Sequence, residues 1–338
     1  GRVVPPDSGV PNGLEPFLNE NGVLIQPIIR RRHYLTKDIC HMNVARAKRP
    51  GNVSGRGVSS PAVAKDDPER CPFGPGKEAM TPRWEGTGSD YVRIGTDPWQ
   101  VRSFPNLYPW MLDHLNIVET PLHKASSQEV DPNEEALALQ VAAQYVQEQE
   151  LLGRCVVLFR NQGLSASLAH FHWQIGSLSY VPVREAEELS RAEQFHRDHG
   201  MNIFDAILDA ERRRGERLVG ENAAFSVLAP FAPRTNNEIW IILRQAASSL
   251  SQISETDRRN LAEILCVSIK GLFAISGNDD LFVIVHQLPP SYRAYRFHVE
   301  LFPVKPWSGA ERGFGELVVE KAPEDTATEL REKMKDVF

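Results

Sequence analysis

The sequence predicts an α+β fold in which one unit, a helix packed on a mostly antiparallel sheet, is built twice within 338 residues. Three observations predict it. Segment 115–146, LNIVETPLHKASSQEVDPNEEALALQVAAQYV, and segment 238–269, EIWIILRQAASSLSQISETDRRNLAEILCVSI, share one order: a short apolar strand, an Ala-Ser-Ser turn, then a helix. A β-rich run follows each helix, RCVVLFRN at 154–161 and DLFVIVHQ at 280–287. Each copy closes with a second strand, HFHWQIGSLSYVP from residue 170 and RFHVELFPVKP from residue 296.

The elements follow from their residues. Asp131 or Ser254 can cap the helix of its copy. Pro132 suits a first helical turn, and Asp257, three places after Ser254, makes a box-like pair with it. Leu261, Ile264, Leu265, Ile269 and Leu272 recur at helical spacing and mark one buried face. In the closing strands the triplets His170-Phe171-His172 and Arg296-Phe297-His298 align, and Gln174 aligns with Glu300. Ahead of the repeat, GRVVPPDSGVPNGLEPF reads as a loose arm, too polar for a signal peptide. The chain therefore divides into an arm over 1–40, a first half over 41–195 carrying the His-x-His strand, and a second half with the tail over 196–338.

Composition excludes several function classes. A net charge of −6 offers no global basic field for nucleic acid or a membrane surface. No apolar run approaches the ~18 residues that span a bilayer. Cys40, Cys71, Cys155 and Cys266 lack framework spacing, which fits a reducing, cytoplasmic compartment better than a secreted disulfide scaffold.

The chemistry concentrates in LAHFHWQIG, residues 168–176. Alternate residues of a strand share a face, so His170, His172 and Gln174 point one way, about 6–7 Å apart, while Phe171 and Trp173 pack the other way. Two readings stand: a polar strand face wetted by solvent, or a nucleophile or metal ligand with hydrogen-bonding help.

The motifs in order resemble the galactose-1-phosphate uridylyltransferase family of the histidine-triad superfamily. His-Phe-His-Trp-Gln resembles its His-Pro-His-x-Gln strand. ARAKRP at 45–50, CPFGPGKEAMTP at 71–82, VRSFPNLYPWM at 101–111, PLHKAS at 121–126, YRFHVELFP and GFGELVVEKAPED resemble further family segments in the family's order. The resemblance implies two fused histidine-triad-like halves. It also implies a homodimer and a nucleotidyltransferase in which His172 attacks the α-phosphorus of a nucleoside diphosphate sugar, leaving a nucleotidyl-histidine that a sugar 1-phosphate then relieves. Imidazole suits this as nucleophile and leaving group at neutral pH. Gln174 would hydrogen-bond a non-bridging oxygen, and since an amide cannot shuttle protons it would favour transfer over hydrolysis. Ser167 and Asn161 match phosphate-side polar positions. Arg46 and Arg49 match phosphate-clamping arginines, whose planar forks suit a diphosphate. Phe104, Asn106 and Tyr108 match the base-reading segment and by alternation would share a face, with core packing a competitor for Phe104.

Two metal sites are implied. A zinc site matches Cys71, His123 and His170, but Gly74 stands where the family's second cysteine would be. Three ligands plus water can hold zinc, while a closed structural site wants four. The site is weakened, refilled by another group, or empty. Glu188, His286, His298 and Glu300 match a second site, or form a hydrogen-bonded cluster bracing the second half. His33, His41, His114, His196 and His199 match nothing and read as surface or satisfied core histidines. Gly315 and Lys321 fall near the two tail positions that hold hexose hydroxyls in galactose-specific members. The tail thus stands nearer to phosphorylase-like relatives using inorganic phosphate on a nucleoside diphosphate sugar or dinucleoside polyphosphate. The reading from another class is a non-catalytic nucleotide-binding protein.

Overall fold

A computed structural model describes residues 2–4, 10, 12–48, 67–85 and 90–335. In chain order, β1 (Arg2–Val3) pairs with β2 (Leu24–Ile25), and β3 (Ile29–Arg32) forms a hairpin with β4 (Ile39–Met42). The first half follows: β5 (Val92–Ile94), β6 (Val101–Pro105), β7 (Leu112–Val118), α1 (Pro132–Leu151), β8 (Cys155–Gln162) and β9 (His172–Leu178). Two helices, α2 (Val183–His199) and α3 (Ile203–Arg214), lead to the second half. That half contains β10 (Leu218–Glu221), β11 (Phe225–Leu228), β12 (Ile239–Leu243), α4 (Glu255–Ser276), β13 (Leu281–His286) and β14 (His298–Pro303). A tail of α5 (Gly309–Phe314), β15 (Glu316–Val319) and α6 (Pro323–Met334) ends the described chain.

The repeat is visible in the sheet. Ten strands run β10-β11-β12-β14-β13-β8-β9-β7-β6-β5. The second copy thus mirrors the first about the antiparallel β8–β13 pair, where Val283 lies opposite Arg160. The helix caps agree with the sequence. The Asp131 side chain accepts from the N–H groups of Asn133 and Glu134, and Ser254 accepts from that of Asp257. Each Ala-Ser-Ser turn becomes a 3-10 turn with a capping box, at Ser127–Glu129 and Leu250–Gln252. Each turn is also held by the other copy. Glu150, near the end of α1, accepts from the hydroxyls of Ser249 and Ser251, while Asp279, after α4, accepts from Ser127 N–H and Ser126 Oγ.

One face of the sheet is the main core. Leu115, Ile117, Trp173, Ile175, Val283, Val285, Val299 and Leu301 pack there against apolar residues of α1, α4 and α6. The other face is covered differently in each half. Leu228, Trp240 and Ile242 lie under Ala192 of α2 and Ile203, Phe204, Ile207 and Leu208 of α3. In the first half Phe104 and Val118 lie under Cys71, Phe73, Trp99 and the flanking Leu168.

Two expectations need correction. The arm drawn over 1–40 contributes β3, which pairs with β4, and β4 in turn pairs in parallel with β15 from the tail. Alternating apolar residues are scarce in IRRR, so sequence alone gave β3 no strand signal. The boundary drawn at 195 falls inside α2.

Candidate active site

β9 lies between β7 and β8, with His172 opposite Val118 and Gln174 opposite both Asn116 and Phe159. His172 and Gln174 therefore share the face away from the main core. His170 lies just before the paired strand, so it leaves that row and turns toward Cys71.

The His172 ring is oriented by one contact. Its Nδ1 is 2.9 Å from the His170 carbonyl oxygen, which can only accept, so Nδ1 carries the proton and Nε2 carries the lone pair. The ring is 4% exposed and meets the Phe73 ring edge-on at 5.1 Å. Burial holds its pKa below the ordinary value; the His170 carbonyl works against this and the Arg160 charge adds to it. At neutral pH the ring is uncharged, with a free electron pair at Nε2.

The strand is gripped from behind by residues that sequence reasoning missed. Arg160 is fully buried on the core face, bonded to Glu119 at 2.8 Å, Glu135 at 3.0 Å and Gln162 at 3.1 Å. Its guanidinium lies 4.9 Å from the Phe171 ring and 5.6 Å from that of Trp173, the two neighbours of His172. Trp173 Nε1 donates to Glu135 at 2.8 Å. The available signal was an arginine at a core-facing position of the apolar run CVVLFRNQ, which demands buried carboxylates.

Cys71, His123 and His170 present ligand atoms within 4.8 Å of one another. His170 Nε2 donates to the Thr120 carbonyl at 2.8 Å, so Nδ1, 3.5 Å from Cys71 Sγ, offers its lone pair to the cluster. Burial pushes His170 down to about 4, which keeps it in the neutral form a metal needs. The backbone N–H groups of Phe73 and Gly74 point at Cys71 Sγ and favour its thiolate, although burial raises the thiol overall. These residues fit three positions of a tetrahedral site. Gly74 supplies no donor, but a Cβ built there would meet nothing nearer than the Cys71 carbonyl oxygen at 3.8 Å.

Glu188 of α2 with His286 and His298 of the second half forms the corresponding cluster, all buried, also within 4.8 Å. His298 repeats the His172 arrangement: its Nδ1 is 2.9 Å from the Arg296 carbonyl, and its Nε2 makes no hydrogen bond and lies 3.8 Å from Glu188 Oε2. Glu188 Oε1 is likewise unpartnered, while Tyr295 donates to Oε2 at 2.6 Å. Stacking at 4.7 Å sets the His286 and His298 rings parallel. Glu300 stands outside this set. It accepts from His286 Nε2 at 2.9 Å and is paired with Arg234, so it orients His286 from behind. Glu185 Oε1 is 3.3 Å from His286 Nδ1.

The remaining expected residues are spread out. Ser167 is exposed on the turn before His170, and Asn161 is partly exposed on β8, two places beyond Phe159 on the same face. Arg46 sits partly buried in the 3-10 segment Val44–Lys48, whereas Arg49 lies outside the described residues. Phe104 and Asn106 lie on the Asn116 side of the sheet, but Tyr108 leaves that row. β6 ends at Pro105, the Asn106 N–H still donates to the His114 carbonyl at 2.8 Å, and the chain bends at Leu107 and Tyr108. Phe104 is fully buried against Phe73 at 5.4 Å, Asn106 donates to Asn116 at 3.0 Å, and Tyr108 is 81% exposed. The aromatic groups that do gather near Gln174 are Phe159 and Trp110, with ring centres 6.3 Å apart.

No protein-family profile matches the chain. It is 23% identical over 326 residues to ADP-glucose phosphorylase of Arabidopsis thaliana, spanning 85% of this chain and 88% of that protein. It is 24% identical over 347 residues to galactose-1-phosphate uridylyltransferase of Saccharomyces cerevisiae, spanning 91% and 94%. Among solved structures, the Arabidopsis thaliana ADP-glucose phosphorylase with bound ADP-glucose superposes with a TM-score of 0.76 at 21% identity, over 90% of this chain and 99% of that one. A uridylyltransferase mutant superposes with a TM-score of 0.68 at 25% identity, over 80% and 95%. Sequence and fold together make this chain a relative of the galactose-1-phosphate uridylyltransferases and ADP-glucose phosphorylase, an α+β protein of two fused halves.

Proposed function

We propose that the chain is a nucleotidyltransferase working through a nucleotidyl-histidine at His172 Nε2. The observation that carries this reading is the Nδ1–H to His170 carbonyl bond on a buried, neutral ring. It leaves Nε2 as the one nucleophilic nitrogen, with Gln174 beside it on the same face. In the first step the Nε2 lone pair forms a bond to the α-phosphorus of a nucleoside diphosphate sugar. The bond from that phosphorus to the bridging oxygen breaks, and the sugar 1-phosphate leaves with the electron pair. In the second step an acceptor phosphate oxygen takes the nucleotidyl group and returns the lone pair to Nε2. Gln174 Nε2–H would donate to a non-bridging oxygen as charge shifts onto it. Ser167, Asn161, Arg46 and Arg49 are the proposed phosphate contacts, with Asn106 and Tyr108 toward the base.

Inorganic phosphate as acceptor is favoured over a sugar 1-phosphate by two tail residues. Gly315, which has no side chain, ends α5 in the left-handed conformation, and Lys321 is committed to Glu329 at 2.6 Å. Neither is disposed to hold hexose hydroxyls. The reading includes zinc on Cys71, His123 and His170, where it would hold the Cys71–Gly74 turn against the nucleophile strand, and a second metal on Glu188, His286 and His298. It also includes a cytoplasmic homodimer; four buried free cysteines speak for the compartment.

The test is to incubate the protein with α-32P-labelled UDP-glucose and ADP-glucose and to look for acid-labile, base-stable label on the chain. Label in the native protein and none in His172→Gly is expected, with release by phosphate exceeding release by galactose 1-phosphate. Nucleotide binding without label from any donor would favour the non-catalytic reading, and label persisting in His172→Gly would end the covalent mechanism.

A further inference from the structure

His114 matched no motif, yet the structure places it against the site. β7 alternates cleanly from Leu115 onward: Leu115 and Ile117 enter the main core, while Asn116 and Val118 face the site side opposite Gln174 and His172. The register then slips. Leu112 pairs with Ser177 and Leu115 with Ile175, so Asp113 and His114 together oppose Gly176. This is a β-bulge, a device that re-aims a side chain. Asp113 adopts φ +47°, and the bulge is pinned from outside: Tyr145 Oη donates to the Asp113 carbonyl at 2.9 Å and Arg154 pairs with the Asp113 carboxylate at 2.7 Å.

The bulge carries the His114 ring into a closed position, 2% exposed. Trp110 covers one side edge-on at 6.0 Å. Gly176 leaves open the space that Met111 fills, since a Cβ there would come within 2.7 Å of Met111 Cβ. Gln174, paired with Asn116 two places along β7, brings its amide close enough to act on the ring electrostatically, yet neither ring nitrogen makes a hydrogen bond in the structure. Burial keeps the imidazole neutral, with one N–H and one bare nitrogen. A buried ring with an unspent nitrogen is costly for packing alone, and an apolar side chain would fill the space more cheaply.

We propose that His114 is a positioning residue for Gln174: its ring N–H donates to Gln174 Oε1 and thereby turns the Nε2 hydrogens toward the phosphate held at His172. A free glutamine amide has two orientations of similar energy, and only one presents a donor to a phosphate oxygen. The bulge at 113–114 therefore selects the catalytically useful face of an amide one strand away. This inference rests on the nucleotidyl transfer proposed above for its effect on rate, though the His114–Gln174 pairing itself is independent of it.

The test combines His114→Phe, His114→Asn, Gln174→Ala and the double variant His114→Phe/Gln174→Ala. With saturating α-32P-labelled donor, His114→Phe should slow labelling of His172 roughly tenfold with the donor KM little changed, and His114→Asn should recover most of the rate. In the Gln174→Ala background His114→Phe should have no further effect, as coupled residues require. In parallel, the Gln174 side-chain amide resonances are identified by their loss in Gln174→Ala in a 15N–1H spectrum of glutamine-labelled protein. They should move in His114→Phe and return in His114→Asn. Additive rate losses, or amide resonances indifferent to His114, would overturn the pairing. Absence of label in native protein, with resonances that still follow His114, would overturn the transfer chemistry and leave the pairing standing.

Discussion

At the residue scale, the proposed chemistry depends on one neutral imidazole, His172, and one amide, Gln174. In the proposed mechanism Gln174 cannot relay a proton, so water at a nucleotidyl-histidine would find no general base in that place. Gln174→His supplies one. The expected outcome is a shift of products from transferred nucleotide toward free mononucleotide, read by chromatography of labelled products; an unchanged ratio would place the bias elsewhere. Behind the strand, Arg160 faces two buried carboxylates and neutralises one charge too few. Burial, with the nearby Glu119 charge adding to it and Arg160 opposing, pushes Glu135 up to about 8, against an ordinary 4.5. The folded chain thus binds more protons than the unfolded chain between those values. This contribution to stability is complete below about 4.5 and is lost as pH rises through about 8. Thermal unfolding should show Tm falling by roughly several degrees between pH 6.5 and 9, and Glu135→Gln should flatten that slope.

At the scale of single elements, the CPFG turn and the strand it covers form one unit. Phe73 meets the His172 ring, Phe104 lies beneath, and Cys71 faces His170. A structural zinc holds its ligands together with on the order of 10 kcal/mol or more, and a missing thiolate removes a good part of that. Zinc in the native protein should therefore be substoichiometric, with a fold that survives chelation. Gly74→Cys has room for its side chain and should raise both zinc content, by elemental analysis, and Tm. Unfolding of the native chain on chelation, with one tightly held zinc per chain, would show a fourth ligand beyond the three named. The same elements show where alternation stops being informative. The row expected to read the base stops because the chain bends at Leu107 and Tyr108, and the histidine row stops because pairing in β9 begins only at His172.

At the scale of the molecule, the two copies are joined by a continuous sheet and by two reciprocal contacts. Glu150 of the first copy caps the 3-10 turn of the second, and Asp279 of the second caps that of the first. Each carboxylate receives two donors from serines, so Glu150→Ala and Asp279→Ala should each cost roughly 1–2 kcal/mol. The contacts share no residue, and the double variant should lose the sum, within about 0.5 kcal/mol, in denaturant unfolding. A much larger loss would mean that the turns hold the halves together cooperatively. Duplication also explains the two histidines with identical orientation. His172 and His298 each donate Nδ1–H to the carbonyl two residues back, but one faces the Gln174 side and the other is enclosed with Glu188 and His286.

The sequence by itself determined the repeat, the capped helices and the strand carrying His172 and Gln174, while the two donor clusters were reached only through the family resemblance. The first three rest on local signals: periodicity, cap residues and motif spacing are written along the chain and need no distant partner. Only the tertiary structure decided the rest. The bulge that turns His114 inward depends on α1 residues reaching Asp113. The burial of Phe104 depends on a turn thirty residues earlier in the chain, and the withdrawal of Glu300 depends on Arg234 from another loop. A side chain's role is set by which groups desolvate and pair with it, and those come from segments far apart in sequence, brought together only when the sheet and its two covers close.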